Sequence, residues 1–257
     1  MANIRDLPED ILLDILTLVP LKDLILNCRL VCTQWRNLVD LPVLWKRIYQ
    51  RKDIRCPLRS VCYILSHLEK NLVKNPCGEE GLDCWEIKTP SSGQWKIQQL
   101  SGKASMRLEM RNFHQRRPAV QDGLGHRVTK CFSACNGLCI KSQLITLKDE
   151  GYWDELMDRA KPNILVTDWF YCRQGSQYRL HMKLLSADFQ LLREFCTDDM
   201  YMQGWKHGRW RKVCYILYKC AGVRHIVFEH QGQNVNGQPS RDRGMQITKS
   251  SIMITKC

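Results

Sequence analysis

The sequence predicts an α+β chain in which a small N-terminal three-helix module precedes a mainly antiparallel, jelly-roll-like β-sandwich. Three observations predict it. Between Ile4 and Ile48, 25 of 45 residues are apolar, against 44% for the whole 257-residue chain, and their spacing is helical. From residue 71 onward the pattern changes to short runs with strand alternation, separated by Gly, Asn, Asp and Pro. A basic stretch, residues 46–59, lies between the two patterns. The chain therefore divides into a module at 1–48, a basic and helical linker at 49–70, and the sandwich at 71–257, sizes that suit one small unit and one domain.

The first helix opens after Leu7 at Pro8, where a first-turn proline is tolerated; Glu9 and Asp10 complement its positive end, and Pro20 stops it. At about 100° per residue, Ile11, Leu12, Leu13, Ile15, Leu16, Leu18 and Val19 cover an arc of roughly 220° and leave Asp10, Asp14 and Thr17 to water. A helix that packs on one side needs a stripe of about 100° or a little more. The surplus face calls for a second surface, from the rest of the chain or from a partner. The next segment repeats the design with Leu24, Cys28, Val31, Cys32, Trp35, Leu38 and Val39 at helical spacing. Burying a dozen such side chains at about 1.5 to 3 kcal/mol each exceeds the rigid-body cost of association.

In the linker, residues 58–72 read as one helix that could hold the two units at a fixed angle. Residues 178–184 alternate Tyr178, Leu180, Met182 and Leu184 with Arg179, His181 and Lys183, a half-buried strand. Further strands are expected at 95–100, 144–147, 164–171, 213–218, 223–230 and 252–255, and a helix at 151–157, ended before Pro162. Many short strands at fairly regular spacing indicate a sandwich.

No run approaches the 18 or so uninterrupted apolar residues of a membrane span, and the N-terminus lacks a signal-peptide core. The expected location is the cytosol or nucleus. The 14 cysteines are accordingly expected to be mostly reduced thiols acting as small apolar side chains. The net charge of +13 falls wholly after residue 48. From Trp205 to Cys257 there are ten Lys or Arg against Glu229 and Asp242, a surface that attracts anions; nucleic acid is disfavoured because no recognition motif accompanies the charge.

Leu7-Pro8, the Val-Cys-x-x-Trp-Arg run (Val31, Cys32, Trp35, Arg36) and the terminal Leu44-Trp45, in that order over about 40 residues, closely resemble the F-box. The resemblance implies that the module binds a Skp adaptor, and through it a cullin scaffold with its RING subunit. The implied adaptor-binding residues are Leu7, Pro8, Ile11, Leu12, Ile15, Leu16, Leu24, Cys28, Val31, Cys32, Trp35, Leu44 and Trp45. The remainder resembles the F-box-associated domain of the sugar-recognising F-box proteins, through the runs at 71–77, 141–145, 150–156, 166–170, 222–226 and 228–232. That implies a non-catalytic substrate receptor of an SCF-type ubiquitin ligase, whose targets in several members are glycoproteins returned from the endoplasmic reticulum. The alternative is a cytosolic lectin-like or anion/RNA-binding protein with a vestigial F-box.

A sugar site needs aromatic faces for the pyranose and polar groups for its hydroxyls. Asp168 matches a polar position of the family site and could accept such hydrogen bonds, or could cap a turn. The chain departs from the family in two loops. Residues 133–139 supply Asn136, Gly137 and Leu138 where an aromatic is expected, and the loop from Asn234 to Gly244 contains no aromatic residue. Tyr201, Trp205 and Trp210 are candidate replacements. Cys131, Cys135 and Cys139 recur every fourth residue, as do Cys28 and Cys32, but without the second close pair that zinc sites use. His225 and His230, five apart, fall on opposite faces of a strand. Neither a nucleophile elbow nor a phosphate-binding loop is present, and no metal or cofactor is expected.

Overall fold

The computed structural model describes residue 4 and residues 7–51, 65–66, 68–88, 93–100, 128–172, 176–197, 210–234 and 245–256. The N-terminal module contains α1 (Glu9–Leu16), α2 (Leu21–Asp23) continuing through a π-helical turn (Leu24–Cys28) into α3 (Arg29–Val31), then α4 (Thr33–Asp40) and α5 (Pro42–Arg51). The expected single helix through Leu24 and Val39 is broken at Cys32. That residue is extended (φ −162°, ψ 172°) and caps α4, its Sγ accepting from the Trp35 backbone N–H at 3.5 Å. Leu12, Leu13, Leu16, Leu24, Leu38, Val39, Leu44, Trp45 and Ile48 form the module's interior, and Trp45 Nε1 donates to the Val39 carbonyl at 2.8 Å. Thr17, expected at the surface, is buried: its hydroxyl donates to the Asp14 carbonyl and accepts from Arg51 Nη1.

Among the described residues, ten strands form two antiparallel sheets. One has the order β1 (Glu86–Ile87), β4 (Cys139–Thr146), β9 (His225–Asn234), β6 (Ser176–Leu185), β7 (Leu191–Cys196). The other has the order β2 (Gln94–Gln99), β3 (Lys130–Cys135), β10 (Gln246–Thr255), β5 (Asn163–Tyr171), β8 (Trp210–Leu217). Inward positions recur every second residue, as in β6, where Tyr178, Leu180, Met182 and Leu184 are fully buried. One helix, α6 (Asp154–Ala160), starts three residues later than expected because residues 147–151 form a turn in which Gly151 takes φ +94°.

Three strands were not anticipated. β3 is buried on both faces and so lacks alternation, β7 is exposed almost throughout, and β1 is only two residues long. The linker helix expected at 58–72 lies largely outside the described residues, and its end does not reach 72. There Leu72 N–H already bonds the Ile252 carbonyl at 2.8 Å and Asn71 Nδ2 the Ser250 carbonyl at 3.0 Å. Residues 71–72 thus run as an extended chain tucked against β10.

Candidate partner-binding surfaces

The module presents an apolar row to solvent. Leu26, Leu30 and Val31 stand out from the π turn and α3, with exposures of 54%, 69% and 58%, and Ile11, Leu18 and Val43 are exposed elsewhere on the module. A π turn inserts an extra residue per turn and re-aims the side chains beyond it, a feature frequent at functional sites. The expected adaptor-binding residues separate into three groups. Pro8, Ile11 and Val31 are exposed; Leu7, Ile15, Cys28, Cys32 and Trp35 are half-buried. Leu12, Leu16, Leu24, Leu44 and Trp45 are at or below 1% exposure and build the module's own core. The expected set leaves out Leu18, Leu26, Leu30 and Val43, which are exposed as well. Their signal was the apolar surplus itself, since the helices' own core uses only part of it. Ionic contacts frame the module: Arg29 grips Asp40 through two bonds, and Arg47 reaches Asp10 at 2.8 Å and Asp14 at 3.0 Å.

The module packs on the sandwich through α5 and the turn before α6. Tyr49 meets the edge of Trp153 at 5.7 Å, and Arg159 lies over the Tyr49 ring. Gly151 sits so close to Pro42 that an added Cβ would come within 2.7 Å of its ring. Tyr152 donates to the Leu68 carbonyl at 2.6 Å, and Glu150 pairs with Lys70 and Lys74. Burial pushes the Tyr152 phenol above its ordinary range, so it stays a donor.

Between the sheets lies a polar cluster. Asp168 of β5 is fully buried; it accepts from Ser250 Oγ at 2.7 Å, from His230 Nε2 at 3.0 Å and, through a short bond, from the Tyr178 hydroxyl. A carboxylate only accepts, so Nε2 carries the proton and Nδ1 of a neutral ring is left as an acceptor. Nδ1 has no partner among the described residues. Lys141, opposite His230 in the β4–β9 ladder, is fully buried with its Nζ 3.1 Å from the Trp85 centroid and 3.8 Å from that of Phe132. Among the described residues its amine has no hydrogen-bond partner. Burial drives the Lys141 pKa well below its ordinary value, opposed by the charge of Asp168, and burial likewise lowers His230.

Asp168 thus sits in the core with three donors and offers no exposed oxygen to a ligand hydroxyl. His225 lies on the other face of β9, stacked on Phe189 at 4.2 Å. The loop of Asn136, Gly137 and Leu138 joins β3 to β4, with positive φ at Asn136 and Gly137. Trp210 opens β8 beside Tyr171 at 5.8 Å, whereas Tyr201, Trp205 and residues 235–244 of the aromatic-free loop lie outside the described residues. Among the described residues no helix is long and apolar enough to cross a membrane.

Comparison with known proteins covers the whole arrangement. The family profile described as F-box associated region matches residues 63–254, and the F-box-like profile matches residues 4–51. The chain is 37% identical over 265 residues to F-box only protein 6 of Homo sapiens, covering 99% of this chain and 85% of that protein. It is 38% identical over 264 residues to F-box only protein 44 of Homo sapiens, covering 99% and 97%. With F-box only protein 2 of Bos taurus the identity is 33% over 266 residues, covering 98% and 84%.

Proposed function

The chain belongs to the F-box proteins that carry an F-box-associated region, and on that premise we propose that it is the substrate-recognition subunit of an SCF-type ubiquitin ligase. In this reading the N-terminal module docks on a Skp adaptor, which joins it to the cullin and RING subunits. The sandwich holds the target protein. The chain itself is non-catalytic: it contributes proximity, converting an encounter between target and ubiquitin-loaded enzyme into a reaction within one assembly. The observation that carries the proposal is the solvent-facing row of Leu26, Leu30 and Val31, apolar surface that the module's own core leaves uncovered.

Capture of a purified Skp adaptor by the intact chain is the direct test. Leu26→Asp combined with Leu30→Asp should weaken capture by about a hundredfold, because charges would enter the centre of an apolar interface. Both positions are exposed, so the variant should fold. Leu12→Ala is a poor probe, since that residue is core. Failure of the intact chain to capture adaptor, or undiminished capture by the double variant, would sink the proposal.

The finer reading follows the family: the targets include glycoproteins returned to the cytosol for degradation. Its support is the resemblance of the sandwich, set against loops that lack the family's aromatic residues. An array of N-linked glycans measures it. Retention of glycan on the wild-type chain supports glycoprotein targets; a blank array removes them and leaves adaptor binding untouched.

A further inference from the structure

Sequence and backbone together single out Asn136. It is followed by Gly137; the other Asn-Gly pair of the chain, Asn236-Gly237, lies outside the described residues. Asn136 is exposed and takes φ +57°, a left-handed conformation that asparagine tolerates, and Gly137 takes φ +113°, open to a residue without a Cβ. Among the described residues no hydrogen bond engages the Asn136 side-chain amide or the Gly137 N–H. An electrophilic carbon and a neighbouring nitrogen are thus both left to solvent. Other asparagines differ. Asn71, Asn75 and Asn163 are held by hydrogen bonds. They precede Leu72 and Ile164, whose side chains crowd the nitrogen, and Pro76, which has no N–H.

The pair also lies at a junction of the fold. Residues 136–138 carry the chain from β3 in one sheet to β4 in the other. Cys139 Sγ lies 3.3 Å from the Cys135 carbonyl and 3.7 Å from that of Gly137, drawing the ends of the loop together. The eight residues of β4, about 24 Å, separate this loop from the turn that packs on the module. The loop therefore stands at the end of the sandwich away from α5.

We propose that Asn136 is a self-modifying site, converted through a cyclic imide with Gly137 to isoaspartate and aspartate. The Gly137 nitrogen attacks Asn136 Cγ; the N–Cγ bond forms, the Cγ–Nδ2 bond breaks, and Nδ2 leaves as ammonia with the proton that Gly137 gives up. Water then opens the imide. Addition at Cγ gives aspartate, whereas addition at the main-chain carbonyl carbon gives isoaspartate, whose main chain runs through Cβ and Cγ. Both products place a negative charge in the loop, and isoaspartate lengthens the main chain by one carbon between Cys135 and Cys139. That this end faces a recruited target rests on the receptor reading; the conversion does not.

The test incubates the folded full chain in neutral buffer at physiological temperature, recovers monomer by gel filtration, and digests it with trypsin beside an unincubated sample. Cuts after Lys130 and Lys141 release residues 131–141, in which Asn136 is the sole asparagine. Incubation should convert this peptide to two products, each heavier by the difference between O and NH, one of them isoaspartyl. Asn71, Asn75 and Asn163 should convert at least about tenfold more slowly, as should Asn136 in Gly137→Ala, where a Cβ crowds the attacking nitrogen. Alanine is strained at that φ, so Asn136→Gln serves as a second variant. Its amide is one carbon farther from the ring-closing distance, and its 131–141 peptide should stay unconverted. An unchanged wild-type peptide, equal rates at Asn136 and the three anchored asparagines, or aspartate without isoaspartate would each overturn the proposal, the last by indicating direct hydrolysis. Adaptor capture is a separate readout. Its failure in the fresh chain defeats the receptor reading and leaves the conversion standing.

Discussion

The N-terminal module and the sandwich depart from the usual inside–outside partition in opposite directions. The module turns Leu26, Leu30 and Val31 outward, while the sandwich turns Lys141, Asp168 and His230 inward. Isolated exposed leucines are ordinary, but a grouped row on one helical ridge is the kind of surface that partners cover. Buried charge is rarer and costs desolvation unless it is paired. The two departures therefore serve different ends. An uncovered apolar row gains free energy only when another molecule arrives, whereas the sealed polar cluster acts within the fold, tying β5, β6, β9 and β10 through a single carboxylate.

The contrast can be broken or sharpened by substitution, beginning with the largest effect. Asp168→Ala should destabilise the chain by about 3 to 5 kcal/mol, since it strands His230, Tyr178 and Ser250 without their shared acceptor and removes the negative charge that acts on Lys141. Urea unfolding measures this, and a loss below 1 kcal/mol would mean that the cluster is not structural. Gly151→Ala should cost about 1 to 3 kcal/mol, from the positive φ and the collision with Pro42, and should loosen the seam between the units. Faster proteolysis between them would register the loosening. Lys141→Met, nearly equal in volume, should instead stabilise by about 1 kcal/mol by removing an amine with no described partner, offset in part by the lost contact with Trp85. Smallest of all, Leu30→Ala should change unfolding stability by no more than about 0.5 kcal/mol while reducing adaptor capture. If Leu30→Ala unfolds the module, the row belongs to the core and the contrast fails.

The cluster also makes stability depend on pH. His230 is faced by Asp168 from β5, Lys141 from β4 and Tyr178 from β6, with Glu229 beside it on β9. Its folded pKa lies below the ordinary 6.5, chiefly through burial, so the unfolded chain binds more protons near that pH. Its contribution is fully present above 6.5 and is lost as pH falls below it. The urea midpoint should accordingly be lower at pH 5.5 than at pH 7.5, and His230→Gln should flatten that difference. Lys141, also depressed, imposes a penalty that grows as pH falls below about 10.5 and levels off beneath its folded pKa.

Much of this architecture was legible because it rests on local periodicity and ordered short motifs. Tyr178, Leu180, Met182 and Leu184 alternate in the sequence and all point inward in β6. Leu7-Pro8, Val31-Cys32 and Leu44-Trp45 located the helical module, though Cys32 proved to be the break between two helices, because its thiol caps α4. Lys141 gave a weaker signal, a cation at an inward step of Cys139, Lys141, Gln143 and Ile145.

What the sequence determined by itself was the composition of each unit: an apolar helical surplus first, alternating strands afterwards, and a family signature for both. Which apolar side chains would remain outside was decided only by tertiary structure. The wheel around α1 places Leu12, Ile11 and Leu18 on one broad face, but packing against α4 and α5 takes Leu12 into the core and leaves the other two exposed. The same holds for Asp168. Its identity and strand were readable, but its burial depends on the convergence of β6, β9 and β10 around β5, contacts between residues up to 82 positions apart that no local pattern encodes.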